Sequence, residues 1–222
     1  MYNQQTVLIG KIKNVSKAKE LEDNKKEISY TVEVERNYEN SNGKKDKDVI
    51  ECVYITDGSI EDIKKGNTLG MKGSIFVDKK QIDNLNLDSL VLKVNEITPV
   101  SENNKDNISI SQSMIVGNLV TDPELREIAN GSKVANITVA VNNRFSNQAE
   151  FIRTAIWGKP AEMIGKHSKG DVVSIQGKLK TVNKTVGEKQ IPITEYSSES
   201  ISVLAKSKSN EVEKETEKDL GE

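Results

Sequence analysis

Hydrophobic and polar residues alternate along most of this chain, which is the pattern of half-buried β-strands. The alternation is clearest over residues 151–157, which read F-I-R-T-A-I-W. One face of this strand takes three residues that suit a core: Ile152, Thr154 and Ile156. The opposite face takes two aromatic rings and the residues between them: Phe151, Arg153, Ala155 and Trp157. The pattern therefore predicts a strand that buries one face and carries rings on the other.

The ring-bearing face has two possible uses. Bases stack on aromatic rings and phosphates pair with Arg and Lys, so rings interleaved with cations suit single-stranded nucleic acid. Alternatively, Phe151 and Trp157 pack beneath a neighbouring element of the same protein. The alternation alone favours neither interpretation.

The same order of predicted strands occurs twice. Each half opens on a short apolar strand, at residues 7–12 and 114–119, and continues into an alternating strand. The strand T-V-E-V at 31–34 aligns with T-V-A-V at 138–141, which places Tyr38 where the second half has Phe145. The chain therefore reads as a doubled unit of about 100 residues.

A short helix is predicted after the third strand of each half. Pro160 suits the first turn of the later helix, and Ser59 with Asp62 resembles a capping box at the start of the earlier one. Gly66 and Gly170 are predicted to end the two helices. Three strands, a helix and two further strands fit a five-stranded, partly open barrel, the OB-fold.

The predicted fold class is all-β, with two tandem five-stranded OB-fold barrels, each with one short helix between strands 3 and 4, and a disordered acidic tail. We expect a degenerate N-terminal OB-like domain over 1–100 and a linker over 101–107. A C-terminal OB-fold domain follows over 108–206, and the tail covers 207–222. The tail has 3 Lys+Arg against 6 Asp+Glu, whereas 101–206 has 13 against 11.

Several function classes are disfavoured by composition. One cysteine, Cys52, and one histidine, His167, exclude an internal disulfide and do not make a zinc site. The sequence contains no Gly-rich phosphate loop, no catalytic pair near His167 and no apolar run long enough to span a membrane. The first residues lack a signal-peptide pattern. We therefore expect a cytoplasmic protein that is not an enzyme and has no metal, no cofactor and no membrane partner.

The second half resembles the bacterial single-stranded DNA-binding protein family over roughly residues 108–205. The motifs occur in the family's order: I-V-G-N-L at 115–119, D-P-E-L-R at 122–126, V-A-N-I-T-V-A-V at 134–141, the ring-bearing strand, G-K-P-A-E at 158–162 and G-K-L-K-T at 177–181. The resemblance implies a protein that coats single-stranded DNA in replication, recombination and repair. Such proteins are chromosomal, plasmid-borne or phage-encoded.

The resemblance also implies which residues contact DNA. The stacking aromatics fall on Phe145, Phe151 and Trp157. The family's phosphate-contacting cations fall on Arg126, Arg153, Lys159, Lys169 and Lys180. Further cationic candidates for the same surface are Arg144, Lys178 and Lys184. Lys184 stands where members often carry an aromatic, which shifts binding toward electrostatics. The tail closes as D-L-G-E instead of the family's Pro-Phe tip, so it assigns no replication or repair partner.

The first half lacks the ring-bearing face. Its third strand places Val49, Glu51, Val53 and Ile55 where the second half has the rings and Arg153. A carboxylate repels phosphates, so we expect the second half to supply most of the DNA affinity. Ile50, Cys52 and Tyr54 are predicted to face the barrel interior. Arg36 and Tyr38 remain as weaker DNA-binding candidates.

Two other functions stay open from the sequence. An OB-fold RNA-binding module would carry the same stacking rings, because the discriminating group is the 2′-hydroxyl. A protein-interaction barrel would need no nucleic acid at all. The family's single-barrel members commonly form tetramers, so we expect a homodimer in which two chains supply four barrels.

Overall fold

The computed structural model describes residues 4–82, 85–101, 108–129, 131–143 and 148–207. Its elements, in chain order, are β1 Gln4–Val15, β2 Lys19–Glu20, β3 Lys26–Glu39, β4 Lys45–Thr56, β5 Thr68–Ile82, β6 Leu85–Pro99, β7 Ile110–Leu119, β8 Glu124–Glu127, β9 Lys133–Asn142, β10 Ala149–Trp157, α1 Lys159–Ile164, β11 Val172–Val186 and β12 Lys189–Ala205. The predicted all-β class is confirmed.

The chain divides into two compact units. The first unit comprises Gln5–Ser113 together with Lys178–Tyr196, and the second comprises Met114–Gly177 with Gln4 and residues 197–207. The outer part of the β11–β12 hairpin therefore groups with the first half of the sequence. The predicted domain boundaries stay a prediction, because most of the linker lies outside the described residues.

Five strands of the first unit close into a barrel. β1 pairs with β3, β3 with β4, β6 with β5 and β5 with β1, all antiparallel, and β4 pairs with β6 in parallel. The core consists of side chains from the inward-facing positions of these strands, among them Leu8, Val32, Ile50, Ile75 and Leu92. This confirms the predicted five-stranded barrel for the first half of the sequence.

The second unit is built around β9. This strand pairs with β10 over nine consecutive residues, with β8 over four and with β7 at Asn118 and Leu119. β11 pairs with both β7 and β12. The buried residues Ile115, Val139, Ile152 and Ile175 form the core.

One glycine in each half allows its opening strand to approach the next strand closely. A Cβ on Gly10 would lie 2.5 Å from the Glu33 carbonyl oxygen, and one on Gly117 would lie 2.2 Å from the Ala140 carbonyl oxygen. No side chain fits at such a distance, so glycine is required at both positions. The two contacts fall at aligned positions of the doubled sequence, where Glu33 matches Ala140.

The two helix predictions have different outcomes. α1 forms after the third strand of the second half, with Pro160 in its first turn. It ends at Ile164, so the prediction that Gly170 terminates it is wrong; Gly170 has φ +92° and lies in a later turn. No described helix is long and apolar enough to cross a membrane.

The helix predicted after Ser59 in the first half is wrong, because residues 57–67 form turns. The Ser59 hydroxyl accepts a hydrogen bond from the Glu61 amide at 3.2 Å, one residue short of the capping-box partner Asp62. The Ile63 amide donates to the Ile60 carbonyl at 3.0 Å, a tight turn that buries the Ile63 side chain. Local side-chain bonding of this kind competes with helix formation.

Candidate nucleic-acid interface

The outer face of β10 carries the two rings. Phe151 is 55% exposed and Trp157 is 57% exposed, whereas Ile152 and Ile156 are 0% and 3% exposed. Arg153 is also exposed and lies between the rings on the same face. The predicted orientation of this strand is confirmed, and burial of the rings under a neighbouring element is wrong. We call Phe151, Arg153 and Trp157 the ring face.

The neighbouring strand leaves the ring face open. The residues of β9 directly opposite Phe151, Arg153 and Ala155 are Ala140, Thr138 and Asn136. Paired residues of an antiparallel sheet point to the same side, so these short side chains flank the rings. A planar base can therefore approach the sheet beside each ring.

Arg126 belongs to the same surface through strand register. Val134 on β9 pairs with Trp157 on one side and with Arg126 of β8 on the other. Adjacent strands lie about 4.8 Å apart, so the Cα atoms of Arg126 and Trp157 are separated by about 10 Å. An exposed guanidinium at that distance can reach a phosphate beside a base that stacks on Trp157.

Two predicted lysines flank α1. Lys159 is its exposed first residue and follows Trp157 by two positions. Lys169 is exposed in the turn after the helix, where its backbone amide donates to the Asp122 carboxylate at 2.7 Å. Both ammonium groups stand in the second unit with the ring face.

The remaining predicted lysines belong to the first unit. The Lys178 ammonium nitrogen lies 5.6 Å from the centre of the Tyr38 ring, within the range of a cation–π contact. Lys180 is half-buried on the same strand, and Lys184 pairs with Glu195 at 2.7 Å. Tyr38 is 44% exposed.

Arg36 is held within the first unit by two carboxylates. Its Nε and Nη2 atoms donate to the Asp48 carboxylate at 3.0 and 2.7 Å, and Nη1 donates to Asp46 at 3.2 Å. The hydrogen bond to Asp48 raises the pKa of the Arg36 guanidinium above its ordinary value. These bonds occupy the donors that a phosphate would need, so the geometry does not favour Arg36 as a DNA contact.

The third strand of the first half, β4, presents a different face. Glu51 pairs with Lys80 at 2.5 Å, and Val49 and Val53 are half-buried. Ile50 and Cys52 are buried, as predicted, while Tyr54 is half-buried. Burial raises the pKa of the Cys52 thiol well above its ordinary value. An ion pair therefore occupies the strand position that Arg153 takes in the second half.

Two predicted site residues, Arg144 and Phe145, lie outside the described residues, as does the acidic tail after residue 207. The sequence contains no sign of the hydrogen bond that joins Thr181 to Asp48. These residues are 133 positions apart, and no local pattern reports a contact over that distance.

Comparisons with known proteins decide the family. The model of the single-strand binding protein family matches residues 110–204. A single-stranded DNA-binding protein of Staphylococcus aureus is 35% identical over 113 residues, which cover 48% of this chain and 72% of the relative. This chain belongs to the single-strand binding protein family. The resemblance drawn from the sequence motifs is confirmed.

In two other relatives, the segment that aligns with this chain covers a smaller share of the relative's length than in the Staphylococcus aureus protein. The single-stranded DNA-binding protein of Oceanobacillus iheyensis is 37% identical over 102 residues, which cover 43% of this chain and 63% of the relative. The single-stranded DNA-binding protein of Halalkalibacterium halodurans is also 37% identical over 102 residues, which cover 61% of that relative. The matched segment thus spans about three fifths of these two relatives.

A solved structure shows the fold over nearly the whole chain. The wild-type single-stranded DNA binding protein from Thermus aquaticus superposes with a TM-score of 0.70 and 17% sequence identity. The superposition covers 91% of this chain and 93% of that chain. The likeness includes both halves of the sequence, although the family model matches only the second.

Proposed function

We propose that this chain binds single-stranded DNA with little sequence preference and performs no chemistry. The observation that carries the proposal is the ring face, on which Phe151 and Trp157 stand exposed on either side of Arg153. Bases stack on the two rings, and every base has a flat face, so sequence preference is slight. Membership of the single-strand binding protein family supports the proposal.

The cations supply the remaining affinity. Arg126, Arg153, Lys159 and Lys169 of the second unit pair with phosphates, and Lys178, Lys180 and Lys184 of the first unit act in the same way. Each phosphate that is neutralised releases counterions, so affinity falls as salt rises. In this role the protein coats single strands during replication, recombination and repair.

The chain acts, in this proposal, as a tandem pair of OB-fold barrels. The aligned close approaches at Gly10 and Gly117 support a duplicated barrel, as does the Thermus aquaticus structure that covers both halves. The second barrel carries most of the affinity because the first has Glu51 where the second has Arg153. We further propose a homodimer with four barrels, for which a sedimentation measurement of mass is the test.

Substitution of Trp157 tests the proposal. Trp157→Ala is expected to weaken binding to labelled oligo-dT about tenfold or more in a fluorescence anisotropy titration, because one stacked base is worth about 1–3 kcal/mol. Leu85→Ala is the matched control, since Leu85 is 51% exposed and belongs to the first unit. Equal affinity of the two variants would reject the ring face as the binding site.

The RNA-binding alternative is tested in the same titration. Unlabelled oligo-dT and oligo-rU of equal length compete for the protein at one salt concentration. The proposal predicts that oligo-dT displaces the label at the lower concentration. Stronger displacement by oligo-rU would favour an RNA-binding module, and no binding of either strand would favour a protein-interaction module.

A further inference from the structure

A partly buried cluster of polar side chains joins β11 to β4 within the first unit. We call Arg36, Asp46, Asp48 and Thr181 the clasp. The Thr181 amide donates to the Asp48 carboxylate at 2.8 Å, and the Val49 amide donates to the Thr181 hydroxyl at 2.7 Å. The same hydroxyl donates to the Val49 carbonyl at 3.0 Å. Thr181 is thus fixed to β4 through both its backbone and its side chain.

The charge at the centre of the clasp is compensated. The Asp48 side chain is 4% exposed, and a buried carboxylate is costly unless it is paired. The Arg36 guanidinium meets it with two parallel bonds and also donates to the Thr181 carbonyl at 3.4 Å. Two parallel hydrogen bonds between planar groups fix the orientation of the guanidinium as well as its distance from the carboxylate. The clasp therefore holds one residue of β11 in a defined orientation.

Because side chains alternate along a strand, the orientation of Thr181 sets the direction in which two neighbouring lysines project. Leu179 and Thr181 share one side of β11, and Leu179 is fully buried, so Lys178 and Lys180 project to the opposite side. Lys178 stands over the exposed Tyr38 ring of the same unit. Tyr38 follows Arg36 by two residues on β3, so the clasp anchors both strands that carry these groups.

We propose that Arg36, Asp48 and Thr181 are positioning residues, which set Lys178 and Lys180 to contact the phosphates of a bound single strand. The inference rests on the proposed function. It also gives Arg36 a role that differs from a direct DNA contact: its charge compensates Asp48, and its effect on DNA passes through the two lysines.

The salt dependence of binding tests the inference in the full-length chain. Each phosphate contact on a single strand adds about 0.7 to the slope of log affinity against log salt. The double variant Lys178→Ala/Lys180→Ala is therefore expected to lower the slope by about 1.4. Thr181→Val removes the hydroxyl that bonds to Val49 but keeps the shape of the side chain. It is expected to lower the slope by at least half of the change produced by the double lysine variant.

A combined variant separates positioning from simple destabilisation. Adding Thr181→Val to the two lysine variants is expected to produce no further loss of slope, since residues that act through one another are not additive. Thr185→Val, an exposed threonine on the same strand, is the matched control and is expected to keep the wild-type slope. A Thr181→Val slope equal to wild type, or full additivity, would overturn the inference.

One further variant and one further measurement serve as controls for the salt-dependence experiment. Arg36→Lys preserves the charge but removes the two-point bond to Asp48, so it replaces Thr181→Val if that variant does not fold. Trp157 lies in the other unit, and the extent of its quenching at saturating oligo-dT is expected to be unchanged in every variant. Wild-type protein without salt-dependent binding would refute the proposed function itself, an outcome distinct from an unchanged slope in Thr181→Val.

Discussion

Single residues decide which half of the chain presents a strand face that suits a nucleic acid strand. At one position of the third strand, the second half has an exposed Arg153 between two rings, and the first half has Glu51 paired with Lys80. A guanidinium attracts phosphate, whereas a carboxylate must be neutralised before a phosphate can approach. The same strand geometry thus supports opposite electrostatics in the two halves.

Conservative substitutions at these two positions are expected to differ in effect. Arg153→Gln removes one phosphate contact, so the slope of log affinity against log salt is expected to fall by about 0.7. Glu51→Gln in the same chain is expected to leave affinity within about twofold of wild type, because the proposal places no DNA on the β4 face. Titrations with oligo-dT at several salt concentrations measure both. A larger effect from Glu51→Gln would place the principal site in the first half.

The direction of the ring face was predictable residue by residue. Period-two alternation placed Ile152 and Ile156 on the core face of one strand and Phe151 and Trp157 on its opposite face, and the structure agrees. Alternation alone left open whether another element covers the rings, and the structure has both rings exposed. The partner of Arg36 was not predictable. Its guanidinium bonds to Asp48, which lies twelve residues away in the sequence and is brought close by the pairing of β3 with β4. Alternation alone does not identify this ion pair.

At the scale of elements, Asp171 lies immediately before β11 and joins the turn after α1 to the chain that follows β12. The buried Asp171 carboxylate accepts hydrogen bonds from the Ser207 amide at 2.8 Å, the His167 ring at 2.8 Å and the Ser168 amide at 3.4 Å. Burial raises the pKa of Asp171, but these hydrogen bonds outweigh it, so the pKa lies below its usual value of 3.8. The charged form therefore stabilises the fold.

A depressed pKa in the folded state gives a defined pH dependence. The contribution of Asp171 is fully present above its unfolded pKa near 3.8 and is lost as pH falls through the lower folded value. Asp171→Asn is expected to lower the free energy of unfolding by about 1–3 kcal/mol near pH 5, with a difference that shrinks toward pH 3. Urea unfolding at a series of pH values measures this difference.

The control for Asp171 is an exposed carboxylate of the same type. Asp57→Asn, in the turn after β4, is expected to change stability by less than about 0.5 kcal/mol at every pH. An Asp171→Asn difference that stays constant from pH 5 to pH 3 would show that lost packing, and not the charge, causes the effect.

Elements differ in how well sequence predicts them. The strands follow from alternation because burial on one face selects apolar residues at every second position. The helix after Ser59 does not form, because the apparent capping residues bond within tight turns instead. A capping box is a local signal, and the eleven residues between β4 and β5 leave little chain for a stable helix.

At the scale of the whole molecule, the division into units differs from the order of the sequence. Residues 178–196 belong to the second half of the sequence but form part of the first unit. Thr181 contacts Val49 across 132 positions, a tertiary relation that the repeat did not reveal. Variants in the full-length chain are therefore the appropriate test of each half, because a cut in the linker would remove this hairpin from its unit.

The central claim is that a single strand lies on the ring face, and the fluorescence of Trp157 tests it most directly. Trp157 is the one tryptophan in the sequence, so its emission reports on this site alone. Titration of the wild-type chain with oligo-dT is expected to quench the emission to saturation, with weaker affinity at higher salt. Binding that is detected by anisotropy but leaves the Trp157 emission unchanged would contradict the account.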